Sequence, residues 1–147
     1  MKRLPWLYEV FTYLLALLFL FTALSKLVDF QKFVKQMNNQ VFPKAVSAAL
    51  VILVPLIELI ATALLVRIKT RMTGLWLSLA LMSAFTVYVG LVTLRVFPRV
   101  PCSCAGVFEK MSWGQHLLLN MMFTLIAFAA ILLGRIQDRV STPGVTQ

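Results

Sequence analysis

Four apolar stretches dominate the chain, and each is long enough to cross a lipid bilayer. They cover roughly residues 6–27, 44–66, 73–96 and 112–133. Spanning a bilayer takes about 20 apolar residues, whereas a core helix of a soluble protein seldom needs more than about 14 in a row. Because spans in lipid satisfy their backbone groups internally, they form helices or closed barrels. The sequence predicts an all-α bundle of four transmembrane helices, in a single membrane domain over residues 1–147.

The net charge of +9 could suggest a nucleic-acid-binding protein, but the positions of the charges argue against it. The basic residues lie next to the ends of the apolar stretches, where they would face phospholipid headgroups. We therefore expect the lipid bilayer, and no nucleic acid, among the partners of this chain.

Charge counts do not orient the bundle, because each side carries seven Lys or Arg residues. The short loop 67–71 nevertheless holds three cations, which are hard to translocate. This loop favours a multi-pass protein of the cell (inner) membrane with both termini in the cytoplasm. The loop between the third and fourth spans, with Cys102 and Cys104, would then lie outside, where a disulfide persists.

An amphipathic segment follows the first span. Its apolar side chains recur at helical spacing, opposite a polar face, and are Phe30, Phe33, Val34, Met37 and Val41. Such a pattern is typical of a helix lying in the membrane interface, with Asp29 as a candidate N-cap. A solvated loop is the alternative interpretation.

Glu58 lies deep within the second span. An ionised carboxylate there costs at least a few kcal/mol, so the side chain should face the bundle interior. Hydroxyl groups at similar depth, on Thr12, Tyr13 or Ser78, are the expected partners. Lys26 is not expected, because about 20 Å of helix would separate it from Glu58. The sequence does not decide between two roles for Glu58, a structural hydrogen bond and the uptake and release of protons.

Small residues spaced four apart predict close helix packing in every later span. The pairs are Ala45/Ala49, Gly74/Ser78, Ala80/Ala84 and Ala130/Gly134.

Cys102 and Cys104 are the only cysteines of the chain. A disulfide between residues i and i+2 requires a turn, since the Cα atoms of an extended chain lie near the upper limit of about 6.8 Å. A strained disulfide is easily reduced, which is typical of an exchanging pair. Arg99 and Lys110 flank the pair and would stabilise a thiolate. A structural disulfide and two inert thiols are the alternatives.

His116 follows a predicted capping box of Ser112 and Gln115 at the start of the fourth span. It lies within about two turns of the cysteine side, with Asn120 on the same helical face. His116 could transfer protons during thiol exchange, or it could be an ordinary interfacial histidine.

A metal site is a further alternative for this region. Cys102, Cys104, His116 and Met111 could bind copper(I), but the spacings usual for zinc are missing. The expectation is therefore that no metal is bound.

Three motifs, in their order and spacing, resemble the DoxX-like superfamily and in particular its MauE branch, the methylamine-utilisation membrane proteins. They are Ser25-Lys26-Leu27-x-Asp29-Phe30, Pro55-x-x-Glu58, and Cys102-x-Cys104 before Ser112-Trp113 and Asn120. The resemblance implies a four-helix bundle that assists disulfide formation in a periplasmic partner, with the cysteine pair as exchange site. It also implies a possible quinone cofactor within the bundle. A single cysteine pair cannot run the two-pair relay of the vitamin K epoxide reductase type.

The sequence thus favours a thiol–disulfide redox protein that exchanges electrons with an extracytoplasmic thioredoxin-like or client protein. Its candidate catalytic residues are Cys102, Cys104, His116 and Glu58. One rival is a non-enzymatic anchor or assembly subunit of a larger complex. Another is a small transporter, supported only by Glu58 and Pro55.

Overall fold

The computed structural model describes residues 4–97 and 112–141, and the regular structure in these two ranges is entirely helical. Four helices are long and apolar enough to cross a membrane. The predicted all-α bundle with four spans is therefore confirmed. In chain order, the helices are α1 (Leu4–Val28), α2 (Phe30–Asn38), α3 (Lys44–Val66), α4 (Arg71–Thr93) and α5 (Trp113–Ser141), with a 3₁₀ turn at Ile68–Thr70.

The long helices form a bundle in which α1 and α4 each pack mainly on α3 and α5. The two helices α1 and α4 therefore occupy diagonal corners, and each helix runs antiparallel to its neighbours. Leu15, Phe19, Leu65, Leu75 and Ile131 are almost fully buried at the centre. Many of the remaining large apolar side chains are exposed, as expected for helices surrounded by lipid.

The predicted amphipathic segment forms α2, which packs against α3. Phe33 and Met37 are buried there with Val51. Asp29 occupies the N-cap position, but its side chain makes no capping hydrogen bond. The helix itself was predicted correctly, and its position in the membrane interface remains a prediction.

α4 ends earlier than the sequence suggested, at Thr93 instead of residue 96. The amide of Val96 donates to the carbonyl of Leu91 at 3.1 Å, and that of Arg95 to Val92 at 3.0 Å. This is the hydrogen-bond pattern of a Schellman motif, which closes a helix through one residue in the left-handed region. Arg95 occupies that position with φ of 55°, so the helix is already terminated before the prolines are reached.

Two of the four small-residue pairs lie at close helix contacts. A Cβ atom on Gly74 would approach the backbone nitrogen of Leu65 to 2.9 Å, and one on Gly134 would approach Cε of Met72 to 2.8 Å. Their partners Ser78 and Ala130 are also buried. The remaining two pairs, Ala45/Ala49 and Ala80/Ala84, are exposed and were wrongly assigned to helix contacts.

Arg71 was expected in the cationic loop, but it is buried at the start of α4. Its guanidinium donates to Oε1 of Glu9 at 2.6 Å and to the carbonyl of Leu65 at 3.2 Å. It also lies 5.8 Å from the ring centroid of Tyr8 and 5.4 Å from that of Tyr13. Arg71 therefore joins α1, α3 and α4 at the end of the bundle near the N-terminus.

Candidate functional site

Glu58 faces the bundle interior and is only 2% exposed. Its carboxylate accepts hydrogen bonds from Nζ of Lys26 at 2.9 Å and 3.1 Å. The prediction of an inward carboxyl bonded to another span is confirmed, whereas the exclusion of Lys26 as its partner was wrong. Of the hydroxyls expected in its place, that of Thr12 bonds to Tyr8 and that of Ser78 to Gly74, both within their own helices.

Two features bring Lys26 and Glu58 together. The side chain of Lys26 runs back along α1, as helical side chains do, and its Nζ reaches the carbonyl of Thr22 at 3.2 Å. The 14 residues Lys44–Ile57 precede Glu58 in α3, and about 21 Å of helix therefore lies between the start of α3 and the ion pair. The estimate from the sequence was wrong because it placed the end of α1 level with the start of α3.

The ion pair borders a cavity of about 740 Å³ inside the bundle. We call it the central cavity. All five helices contribute to its wall, which is mainly apolar and rich in aromatic rings. The polar or ionisable side chains in the wall are Thr22, Lys26, Gln40, Glu58, Ser83, Tyr88, His116 and Asn120. A volume of this size is within the range of small-molecule and cofactor sites.

His116 and Asn120 both line the central cavity from the first two turns of α5. The predicted capping box is confirmed, because the amide of Ser112 donates to Gln115 Oε1 at 3.0 Å and the amide of Gln115 to Ser112 Oγ at 3.3 Å. The ring of His116 is stacked on that of Trp113, with centroids 6.3 Å apart. The cap therefore fixes the start of the helix that presents His116 to the cavity.

Gln40, Phe42 and Tyr88 form a second part of the wall that the sequence did not reveal. Gln40 is 3% exposed, and its Oε1 accepts a hydrogen bond from the hydroxyl of Tyr88. The rings of Phe42 and Tyr88 are stacked with centroids 5.3 Å apart. Gln40 lies within the predicted amphipathic segment and Phe42 directly after it, and neither position indicated that these side chains would meet α4.

Cys102 and Cys104 lie outside the described residues, as do Arg99, Lys110 and Met111. The structure therefore brings together two of the four candidate catalytic residues, Glu58 and His116, in one cavity. Within residues 4–97 and 112–141, no group of three or more His, Cys, Asp or Glu side chains could hold a metal ion.

These features define a class: a four-helix membrane protein with a buried Lys–Glu pair beside an apolar, aromatic-lined cavity. The family model of methylamine utilisation protein MauE matches residues 4–133. The chain belongs to this family, and is thereby a membrane protein of the kind involved in methylamine utilisation. The wider relationship to DoxX-like proteins remains a prediction. No curated protein and no solved structure gives a significant match to the chain.

Proposed function

We propose that the chain is a membrane-embedded thiol–disulfide redox protein that exchanges electrons with an extracytoplasmic partner through Cys102 and Cys104. One observation carries the proposal: Phe97 and Trp113, which flank the cysteine segment in sequence, both line the central cavity. Cys102 follows Phe97 by five positions in the sequence, and five residues of extended chain span at most about 18 Å. The position of the only two thiols in the sequence, between two residues that line the cavity wall, supports their use together with His116, which lines the same cavity.

The exchange needs only the two cysteines and a partner disulfide. The Cys102 thiolate attacks one partner sulfur, which forms a mixed disulfide and releases the other partner sulfur as a thiolate. The Cys104 thiolate then attacks Sγ of Cys102 and releases the second partner thiolate. Two electrons have moved to the partner, and the reverse sequence oxidises a partner dithiol instead. His116 is the candidate group for taking up and returning the thiol protons.

The number of cations on each side of the membrane still does not decide the orientation. Lys26 and Arg71 are each paired inside the bundle. Removing one cation from each side changes seven against seven to six against six. Our assignment of the termini to the cytoplasm therefore depends on the remaining loop cations Arg67 and Lys69, which are exposed.

Trapping of the mixed disulfide tests the proposal. Cys104→Ser should accumulate a covalent complex with a thioredoxin-like or client protein, because the resolving thiol is missing. Cys102→Ser should accumulate none, and Ser103→Ala is the matched control with both thiols intact. The covalent complexes would be detected on non-reducing gels, and a reductant should cleave them. If neither cysteine variant traps a protein and both support growth on methylamine, the pair is structural and the chain is an anchor or assembly subunit.

A further inference from the structure

Arg135 and Trp76 form an exposed pair where α4 and α5 meet, at the end of the bundle where α1 begins. The guanidinium carbon of Arg135 lies 5.3 Å from the centroid of the Trp76 ring. Trp76 is 46% exposed, and Arg135 is exposed beside it. In the part of the chain that the structure describes, Arg135 makes no hydrogen bond and no ion pair. The N–H donors of its guanidinium are therefore available to a ligand.

This end of the bundle is basic as a whole. Among the described residues it carries five cations and two acids, a surplus of three positive charges. The cations are Arg67, Lys69, Arg71, Arg135 and Arg139, and the acids are Glu9 and Asp138. Glu9 is already bonded to the buried Arg71, whereas the other four cations are exposed. A surface with this charge favours an anionic partner.

Two contacts show that α4 and α5 run side by side from this pair toward the middle of the membrane. The first is the contact of Arg135 with Trp76. The second is the hydrogen bond between the hydroxyls of Thr86 and Thr124, at 3.0 Å. Thr86 follows Trp76 by ten residues, and Thr124 precedes Arg135 by eleven. The two helices are therefore neighbours over about 15 Å.

The surface between these two contacts is apolar. Ala80 and Ala84 are exposed on α4, and their short side chains leave room for a hydrocarbon chain. Phe128 and Leu132, 50% and 44% exposed, lie on the same stretch of α5. We call this surface the α4–α5 groove. All four residues lie inside membrane-spanning helices, so that lipid covers the groove.

A phospholipid with an anionic headgroup matches both parts of this surface. Arginine binds phosphate through two parallel N–H bonds, and tryptophan is enriched at the level of the headgroups. Basic pockets between membrane helices are known sites for anionic headgroups. An acidic protein would match the cations alone, because the groove lies within the membrane.

We propose that Arg135 and Trp76 form a binding site for an anionic phospholipid, whose phosphate lies on the guanidinium and whose acyl chain lies in the α4–α5 groove. The site is at the opposite end of α4 and α5 from Phe97 and Trp113. It therefore does not depend on the redox proposal.

Quenching of Trp76 fluorescence by brominated lipids tests the site. A variant with Trp6→Phe and Trp113→Phe retains Trp76 as its only tryptophan. It is placed in phosphatidylcholine nanodiscs with rising fractions of phosphatidylglycerol or phosphatidylcholine brominated in the acyl chains. Quenching by the brominated phosphatidylglycerol should saturate at a lower mole fraction than quenching by the brominated phosphatidylcholine. Identical curves for the two lipids would refute the site.

Arg135→Gln in this variant should lower the apparent affinity for brominated phosphatidylglycerol about fivefold, the effect of one cation near an anionic membrane surface. Lys69→Gln is the matched control, since it removes one charge from the same end of the bundle. Arg135, not Lys69, is the cation over the Trp76 ring, so the control should leave the affinity nearly unchanged. Equal losses in both variants would show a diffuse charge effect and overturn the site.

Competition identifies the occupant. Inorganic phosphate, compared with sodium chloride of equal ionic strength, should leave the quenching unchanged, and so should poly-glutamate. Loss of quenching with phosphate would assign Arg135 to a free anion, and loss with poly-glutamate would assign it to an acidic protein. Weaker quenching in nanodiscs that hold two chains than in those that hold one would assign the surface to a second copy of the chain. Each of these three results would overturn the lipid site.

Discussion

At the scale of single residues, the Lys26–Glu58 pair is the clearest determinant of stability. Both side chains are largely removed from solvent, at 11% and 3% exposure. Removing one partner of a buried ion pair leaves the other charge uncompensated, at a cost of about 3–5 kcal/mol. We expect Lys26→Met and Glu58→Leu each to lower the melting temperature of the detergent-solubilised protein strongly, measured by circular dichroism.

The double variant Lys26→Met/Glu58→Leu separates charge from packing. Replacing both charges by apolar groups of similar size is often neutral or stabilising. The double variant should therefore melt close to the unmodified protein, well above either single variant. A double variant as unstable as the two single changes added together would show that each side chain has an independent role.

Burial of Glu58 could be predicted from its apolar surroundings, but its partner could not. The register between α1 and α3 depends on how far α3 extends past the end of α1, and neither apolar span contains that information. The same limit concealed the pairing of Arg71 with Glu9, whose side chain is 45% exposed. In both cases the sequence identified the ionisable groups and tertiary packing selected the pairs.

At the scale of helices, a change from glycine to alanine should cost a different amount of stability at each of three positions. A Cβ on Gly74 would meet the backbone of α3, whereas one on Gly134 would meet the flexible end of Met72 and the ring of Tyr8. Nothing lies within 4 Å at Gly114. Gly74→Ala should cost about 1–3 kcal/mol through overpacking, and Gly134→Ala should cost less.

Gly114→Ala is the matched control, and should be neutral or stabilising by up to about 1 kcal/mol, because alanine is the better helix former. Unfolding in increasing SDS would rank the three variants. Equal stability for Gly74→Ala and Gly114→Ala would contradict the close approach of α3 and α4.

Helix ends were less predictable than helices. The hydropathy pattern predicted all four spans, but it placed the end of the third at residue 96, beyond the observed end of α4 at Thr93. A non-glycine residue in the left-handed region is uncommon, so an arginine at position 95 gave no signal for the motif that ends α4.

At the scale of the whole molecule, orientation is the main open prediction. A membrane-impermeant maleimide should label reduced Cys102 and Cys104 from outside intact spheroplasts. In a variant that lacks both cysteines, Lys69→Cys in the exposed 3₁₀ turn should be labelled only after lysis. Labelling of residue 69 in intact spheroplasts, with labelling of the cysteine pair only after lysis, would invert the assigned topology. It would also remove the argument that the pair lies in an oxidising compartment.

The bundle and its helix count follow from the sequence because apolar length alone determines them. The central cavity does not, because it forms where side chains distant in sequence meet. Gln40 and Tyr88, for example, are 48 residues apart. The position of the cysteine pair relative to this cavity stays a prediction.

The two ion pairs also bear on how the protein is made. Each pair has one partner in α1. Lys26 pairs with Glu58 of α3, and Glu9 pairs with Arg71 at the start of α4. During synthesis the first span enters the membrane before either partner exists. Glu9 and Lys26 lie near the two ends of α1, so each unpaired charge raises the insertion free energy by less than about 2.5–3.5 kcal/mol, the cost of a charge at the centre of a span. Although α1 emerges from the ribosome before α3 and α4, its two charges are paired in two steps, Lys26 by Glu58 of α3 and then Glu9 by Arg71 of α4. The final placement of α1 therefore waits for helices that are synthesised after it.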